Sequence, residues 1–195
     1  MKKLSHIFLI LAIVFVWGCS GPDSETIAQN NKEKKIEKTN EEVVWMTFDE
    51  GLAEGVKENK NIMVDFYTDW CHWCKVMDEK TFSEKKVAAK LKERFATVRI
   101  NAESNTEFAN FKGKRMSNME LTQAFQVTGF PSLAFLSPDK EVITVIPGYI
   151  PAEQFYYLLD FIDKECYKQK MTLEEFIKRK GDCEEPKKEE PSKES

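Results

Sequence analysis

Val64-Asp65-Phe66-Tyr67-Thr68-Asp69-Trp70-Cys71-His72-Trp73-Cys74-Lys75 is the stretch on which the fold turns. It opens inside a mostly apolar run, residues 62–67, that follows the breaker Asn59-Lys60-Asn61. A run of that length and composition reads as a strand buried on both faces. It closes on a Cys-x-x-Cys that leads into a helix reaching about residue 80. Cys71 then lies at a helix N-terminus, where unpaired N–H groups and the helix dipole favour negative charge, so its thiol is expected to ionise more readily than a free cysteine. Cys74 lies one turn on, more buried, and reaches the same sulfur. Disulfide exchange needs one thiolate that attacks and a second thiol that resolves the mixed disulfide; these roles fall to Cys71 and Cys74. The competing use of such a pair is half a zinc site, which normally takes two spaced pairs of ligands. Here Cys166 and Cys183 stand far apart and the histidines are His6 and His72, so no second pair is in place and no metal is expected.

Outward from this stretch the pattern alternates. Residues 43–46 form a short β-like run and residues 48–59 a helical one. Ser83 reads as the N-cap of a helix with Val87, Leu91 and Phe95 at three- and four-residue spacing. A strand over 96–100 and a polar stretch over 101–117 lead to a short helix near 119–125. Two strands, 132–136 and 142–146, are joined by the turn Ser137-Pro138-Asp139-Lys140. A helix over 151–164 carries Phe155, Leu158, Leu159 and Ile162 on one face. Leu173, Phe176 and Ile177 mark a last short amphipathic helix. The order predicts an α/β fold, a central mixed β-sheet with helices on both faces.

The ends of the 195-residue chain read differently. Met1-Lys2-Lys3 followed by the apolar run 7–17 has the layout of a secretory signal peptide and is short for a membrane span, which needs roughly 20 apolar residues. Val16-Trp17-Gly18-Cys19 resembles a bacterial lipoprotein box, which implies cleavage before Cys19 and a lipid on its sulfur. The expected organisation is a signal peptide over 1–18, a flexible tether over 19–42, the globular domain over 43–165, a C-terminal helical extension over 166–180 and a disordered charged tail over 181–195. Lys and Arg number 29 against 33 Asp and Glu, and no concentrated basic patch stands out, so nucleic acid is not an expected partner. Cys166 continues the apolar face of the preceding helix; burial as a free thiol and a bridge to Cys183 both remain open.

The stretch 64–75 resembles the active-site segment of the thioredoxin superfamily. Its continuation Met77-Asp78-Glu79-Lys80-Thr81-Phe82 is similar to thioredoxin-like proteins related to the C-terminal domain of DsbD, a transmembrane disulfide reductase. Gly129-Phe130-Pro131-Ser132 resembles the cis-proline loop of the same family, placed before the hairpin as it should be. The resemblance spans residues 44–164 and implies a thioredoxin fold. It also implies that Asp65 is the buried acid that moves the proton of the resolving cysteine, with Arg99 near the position of its basic partner. Asp65 sits between Val64 and Phe66, and a carboxyl in an apolar strand has a raised pKa suited to that task. Trp70 matches the aromatic beside the thiol, though core packing suits it equally. Pro131 would be cis, and the backbone of Phe130 would pair with an extended substrate. Gly148 matches the glycine beside the groove.

Where most thioredoxins carry Gly-Pro between the cysteines, this chain has His72-Trp73, positions that help set the reduction potential. His72 would stabilise the Cys71 thiolate when protonated, or simply face solvent. The segment 101–128 is longer than in simple thioredoxins and serves either partner recognition or nothing beyond surface. The expected activity is reduction of protein disulfides outside the cytoplasm, on the periplasmic side in a Gram-negative cell. It would need no cofactor, with electrons from a membrane donor of DsbD type and a lipid anchor to the membrane. The alternatives are a disulfide oxidase and a copper-carrier-like module of the same fold. The second needs a distant histidine that the chain beyond residue 18 does not offer.

Overall fold

The computed structural model describes residues 42–184. The expected signal peptide, lipidated Cys19, tether and most of the charged tail lie outside the described residues.

Helix α1 (Phe48–Glu58) is started by a Thr47–Glu50 capping box and stopped by Asn59 in the left-handed conformation. Strand β1 (Asn61–Tyr67) follows, then α2 (His72–Met77), which runs into a π-helical turn over Asp78–Phe82. Next come α3 (Lys85–Arg94), β2 (Phe95–Asn101), β3 (Phe108–Phe111), β4 (Lys114–Ser117), α4 (Asn118–Ala124), β5 (Ser132–Leu136), β6 (Val142–Pro147) and α5 (Ala152–Asp163). A 3₁₀ turn over Cys166–Gln169 and helix α6 (Leu173–Lys178) close the described chain. The main sheet has strand order β2-β1-β5-β6, with β1 and β2 parallel and the rest antiparallel. Met46 bridges Val98 on the outer side of β2.

Alternation along the strands sorts two cores. Ile62, Val64 and Phe66 of β1 and Ala96, Val98 and Ile100 of β2 face α1, α4 and the β3–β4 hairpin. Gly51 of α1 lies so close to this face that a Cβ there would meet the Val98 side chain at 2.0 Å. Met63 of β1 and Leu133 and Phe135 of β5 face α2, α3, α5 and α6. By the same alternation, Asp65 belongs to the face that α2 covers. The in-register pair Asp65↔Arg99 sets Arg99 beside it on that face. On the outer side of this second core, Lys90 of α3 pairs with Asp160 and Asp163, and Arg94 reaches Asp163 at 2.9 Å.

Three local expectations are corrected. Ser83 does not cap α3; its hydroxyl donates back to the Glu79 carbonyl at 2.7 Å, and Glu84 is the N-cap with no side-chain bond. Ser83 is drawn away because the preceding helix ends in a π turn that offers its hydroxyl a carbonyl four residues back. The helix after Cys71 is α-helical only to Met77, again because of that turn. The polar stretch 101–117 contains the β3–β4 hairpin, turned at Lys112 (φ 49°) and Gly113 (φ 76°). Both residues have positive φ, as two-residue hairpin turns require.

The C-terminal extension completes the second core. Thr172 and Glu175 form a capping box that starts α6, and Phe176 is fully buried with its ring 5.5 Å from that of Phe161. A Cys166–Cys183 disulfide, with Cα atoms 5.5 Å apart, ties this segment down. Closing a loop between cysteines 17 residues apart restrains the unfolded chain. Replacing both cysteines by Ala is expected to lower stability by about 3 kcal/mol in denaturant unfolding, and an unchanged midpoint would contradict that role.

Candidate functional site

β1 ends at Tyr67 in the middle of the sheet, so whatever follows is delivered to the end of a rigid strand. The chain turns through Thr68-Asp69-Trp70, with the Cys71 N–H donating to the Thr68 carbonyl at 3.1 Å. Cys71 is the N-cap of α2, and its Sγ accepts the Cys74 N–H at 3.0 Å. Cys71 and Cys74 are joined as a disulfide, with Cα atoms 5.3 Å apart and each residue 3% exposed. A sulfur that already receives a helix N–H is placed to carry negative charge when the disulfide opens.

The second loop arrives at the same end of the sheet. Ser132 opposes Phe66 of β1 on one side and Pro147 of β6 on the other. The Phe130–Pro131 bond is cis, as expected from the sequence. Gly148, at φ 92°, donates its N–H to the Pro131 carbonyl at 2.7 Å, and a side chain would strain that conformation. Trp70, Trp73, Phe130 and Tyr149 surround these segments. The Trp70 ring meets that of Phe130 edge-on at 6.2 Å, and the rings of Trp73 and Tyr149 lie 5.5 Å apart. His72 is exposed and meets the Trp73 ring at 5.7 Å.

Beneath the disulfide's helix lies Asp65, 1% exposed, with neither carboxylate oxygen hydrogen-bonded. Arg99 Nε approaches Asp65 Oδ2 at 3.2 Å. The same guanidinium donates through Nη2 to both oxygens of Asp78, at 2.8 and 2.9 Å. It is held between the rings of Trp45 and Tyr67, 5.0 and 4.6 Å from their centres. Burial pushes the Asp65 pKa up to about 7 from 3.8, against the pull of Arg99 and with a further push from Asp78. A cavity of about 190 Å³ touches Cys74, Thr68, Asp78 and Arg99. The Thr68 hydroxyl is buried there without a partner, which makes the space polar enough for water.

The structure thus brings together Cys71, Cys74, Trp70, His72 and Trp73 on one loop and helix, Phe130, Pro131 and Gly148 on the adjoining loops, and the Asp65–Arg99 pair below. Sequence reasoning missed Asp78, although its place four residues after Cys74 puts it on the same helix face. It also missed Trp45 and Tyr67, which hold Arg99, and Tyr149. Glu103, from the long segment after β2, accepts the Trp70 indole N–H at 2.9 Å, a contact that spacing alone does not reveal. Among the described residues, no three His, Cys, Asp or Glu side chains converge as a metal site would need.

A parallel pair joined to a β-hairpin, with a cysteine pair heading the helix after β1 and a cis-proline before the hairpin, defines the thioredoxin architecture. The family model for the thioredoxin-like domain matches residues 48–163, and the chain belongs to that family. Among curated relatives it is similar to the thiol:disulfide interchange protein DsbD of Vibrio cholerae, 30% identical over 106 residues, which are 53% of this chain and 16% of that one. The similarity to DsbD of Campylobacter jejuni is 30% over 105 residues, 53% of this chain and 17% of the relative. The match therefore spans about one sixth of these relatives' length. Among solved structures, a thioredoxin-fold protein from Helicobacter pylori superposes with a TM-score of 0.52 at 23% identity, covering 63% of this chain and 80% of that one. A thioredoxin from Thermus thermophilus gives 0.51 at 23% identity, covering 62% and 86%.

The buried acid carries a pH signature. Between the unfolded value near 3.8 and the folded value of about 7, the folded protein holds a proton that the unfolded chain has lost. Stability from this group is therefore full below the lower value and falls as pH rises through the upper one. Asp65→Asn removes that fall, so its gain over the wild type should grow between about pH 4 and pH 8, by at most about 4 kcal/mol. Denaturant unfolding of both oxidised proteins across this range checks it; a gain independent of pH would contradict a raised pKa.

Proposed function

We propose that this chain is an extracytoplasmic thiol–disulfide oxidoreductase that reduces protein disulfides through Cys71 and Cys74. The observation that carries the reading is the Cys71 sulfur at the head of α2, bonded to Cys74, above a buried acid that titrates near neutrality.

In the reduced protein the Cys71 thiolate attacks one sulfur of a partner disulfide. A new S–S bond forms, the partner's bond breaks, and its second sulfur leaves as a thiolate that takes up a proton. Cys74, deprotonated by Asp65 directly or through water in the adjoining cavity, then attacks the Cys71 sulfur and expels the partner's remaining sulfur. Two electrons pass to the partner; the proton taken from Cys74 and one from water neutralise its two thiolates, and the protein is left as the Cys71–Cys74 disulfide. Pro131 offers no N–H to compete for the sulfurs, and the backbone of Phe130 takes the substrate as an added strand. Arg99 acts by holding the position and charge of Asp65.

Charge supports the reducing direction. A strongly oxidising pair is one whose reduced form is stabilised. Here the end of α2 favours a thiolate, but Asp65, buried and offset only in part by Arg99, opposes added negative charge nearby, which raises the energy of the reduced form and suits an electron donor. The N-terminal run ending at Cys19 supports a lipid-anchored location outside the cytoplasm. The named relatives support a membrane dithiol donor of DsbD type to restore the reduced state.

With dithiothreitol regenerating the dithiol, full-length protein is expected to turn over the disulfides of insulin. Cys71→Ser should fall to the uncatalysed background, whereas Cys74→Ser should accumulate a mixed disulfide on Cys71, seen by non-reducing mass spectrometry. Turnover that survives Cys71→Ser would overturn the assignment.

A further inference from the structure

Two indoles stand out in the water around the redox pair. Trp70 is 66% exposed and Trp73 55%, although each flanks a cysteine that is only 3% exposed. Indoles left in solvent forgo a large burial energy, so a pair of them beside a reactive group marks a contact surface. Neither is loose. Trp70 is held edge-on against Phe130 and by the bond from its indole N–H to Glu103, and Trp73 is tilted against Tyr149 at 32°. Phe130 directly precedes Pro131, and Tyr149 directly follows Gly148, whose N–H is bonded to the Pro131 carbonyl. The β5–β6 register, with Ser132 opposite Pro147, brings Phe130 and Tyr149 to the same end of that ladder on adjoining segments. Each tryptophan of the cysteine loop thus has its own aromatic partner on the proline side, and the site carries two ordered aromatic pairs.

We propose that Trp73 and Tyr149 form a specificity subsite that, with the Trp70–Phe130 pair, selects polypeptide disulfides whose cysteine is flanked by bulky apolar side chains. The proposal rests on the disulfide-exchange reading and names its substrate class. Aromatic rings already fixed by partners lose little freedom when they bind, so the gain from covering them is retained. A partner must also reach a nearly buried sulfur, which brings its neighbouring residues against the rings. Charge points away from small anionic disulfides: Asp69 adjoins Trp70 in the chain and Glu103 sits on its indole nitrogen, so a ligand carboxylate there would meet like charges. The partner that fits is an extended segment with apolar residues beside its cysteine.

The test compares two disulfide-linked peptide dimers, identical except that the residues on both sides of the cysteine are Phe in one and Asn in the other. In single-turnover exchange, the reduced full-length protein should show a ratio of second-order rate constants of about ten in favour of the Phe dimer. Tyr149→Ala should lower that ratio to about three or less, and Tyr149→Phe, which keeps the ring, should preserve it. A wild-type ratio near one, or a ratio that Tyr149→Ala leaves unchanged, overturns the subsite while leaving the exchange chemistry standing. Failure to reduce either dimer overturns the exchange reading and the subsite with it.

Discussion

One carboxylate without a hydrogen bond, enclosed in the sheet, constrains the rest of this molecule. Taking Asp65 out of water is unfavourable, and a single guanidinium at 3.2 Å offsets it only in part. Arg99 can do so because β1 and β2 run parallel in the register that sets the two residues side by side. That guanidinium is itself fixed by Trp45 before α1, Tyr67 at the end of β1 and Asp78 after Cys74. The ion pair therefore couples the sheet, the N-terminal segment and the redox helix. Displacing any of them would leave a charge uncompensated.

The same arrangement joins the two halves of the proposed chemistry. From above, the N–H groups of α2 favour charge on the Cys71 sulfur. From below, Asp65 sits in a buried pair with Arg99, and its carboxyl is protonated or not according to a pKa near neutrality. In the proposed chemistry this group is the proton acceptor for the resolving thiol. Around the nearly buried disulfide stand the Trp70–Phe130 and Trp73–Tyr149 pairs. Burial, helix polarity and exposed rings thus act on one pair of atoms.

Much of this was legible along the chain because the responsible signals are local. The apolar run 62–67, the cysteine spacing and Phe130-Pro131 each state their own role, and the period of two along β1 places Asp65 on the helix-covered face. Arg99 was found through its resemblance to the family's basic partner, and the register then explains why it meets Asp65. What escaped depended on contacts across the fold or on geometry with no compositional mark. The β3–β4 strands are four residues each, too short for alternation to stand out, and only Lys112-Gly113 hinted at a turn. The π turn that redirected Ser83 has no residue signature. Tyr149 gains its place only when the β5–β6 hairpin returns it to Trp73, and the C-terminal extension joined the core through Phe176 and a disulfide that spacing alone left open.

The equilibrium reduction potential of the Cys71–Cys74 pair, measured against a glutathione buffer, addresses the electron-donor proposal most directly. A buried carboxylate that opposes the thiolate should hold it near the value of thioredoxin, about −270 mV. A potential near about −120 mV, that of the strong oxidant DsbA, would mean that the reduced form is stabilised after all and would reverse the direction of electron flow.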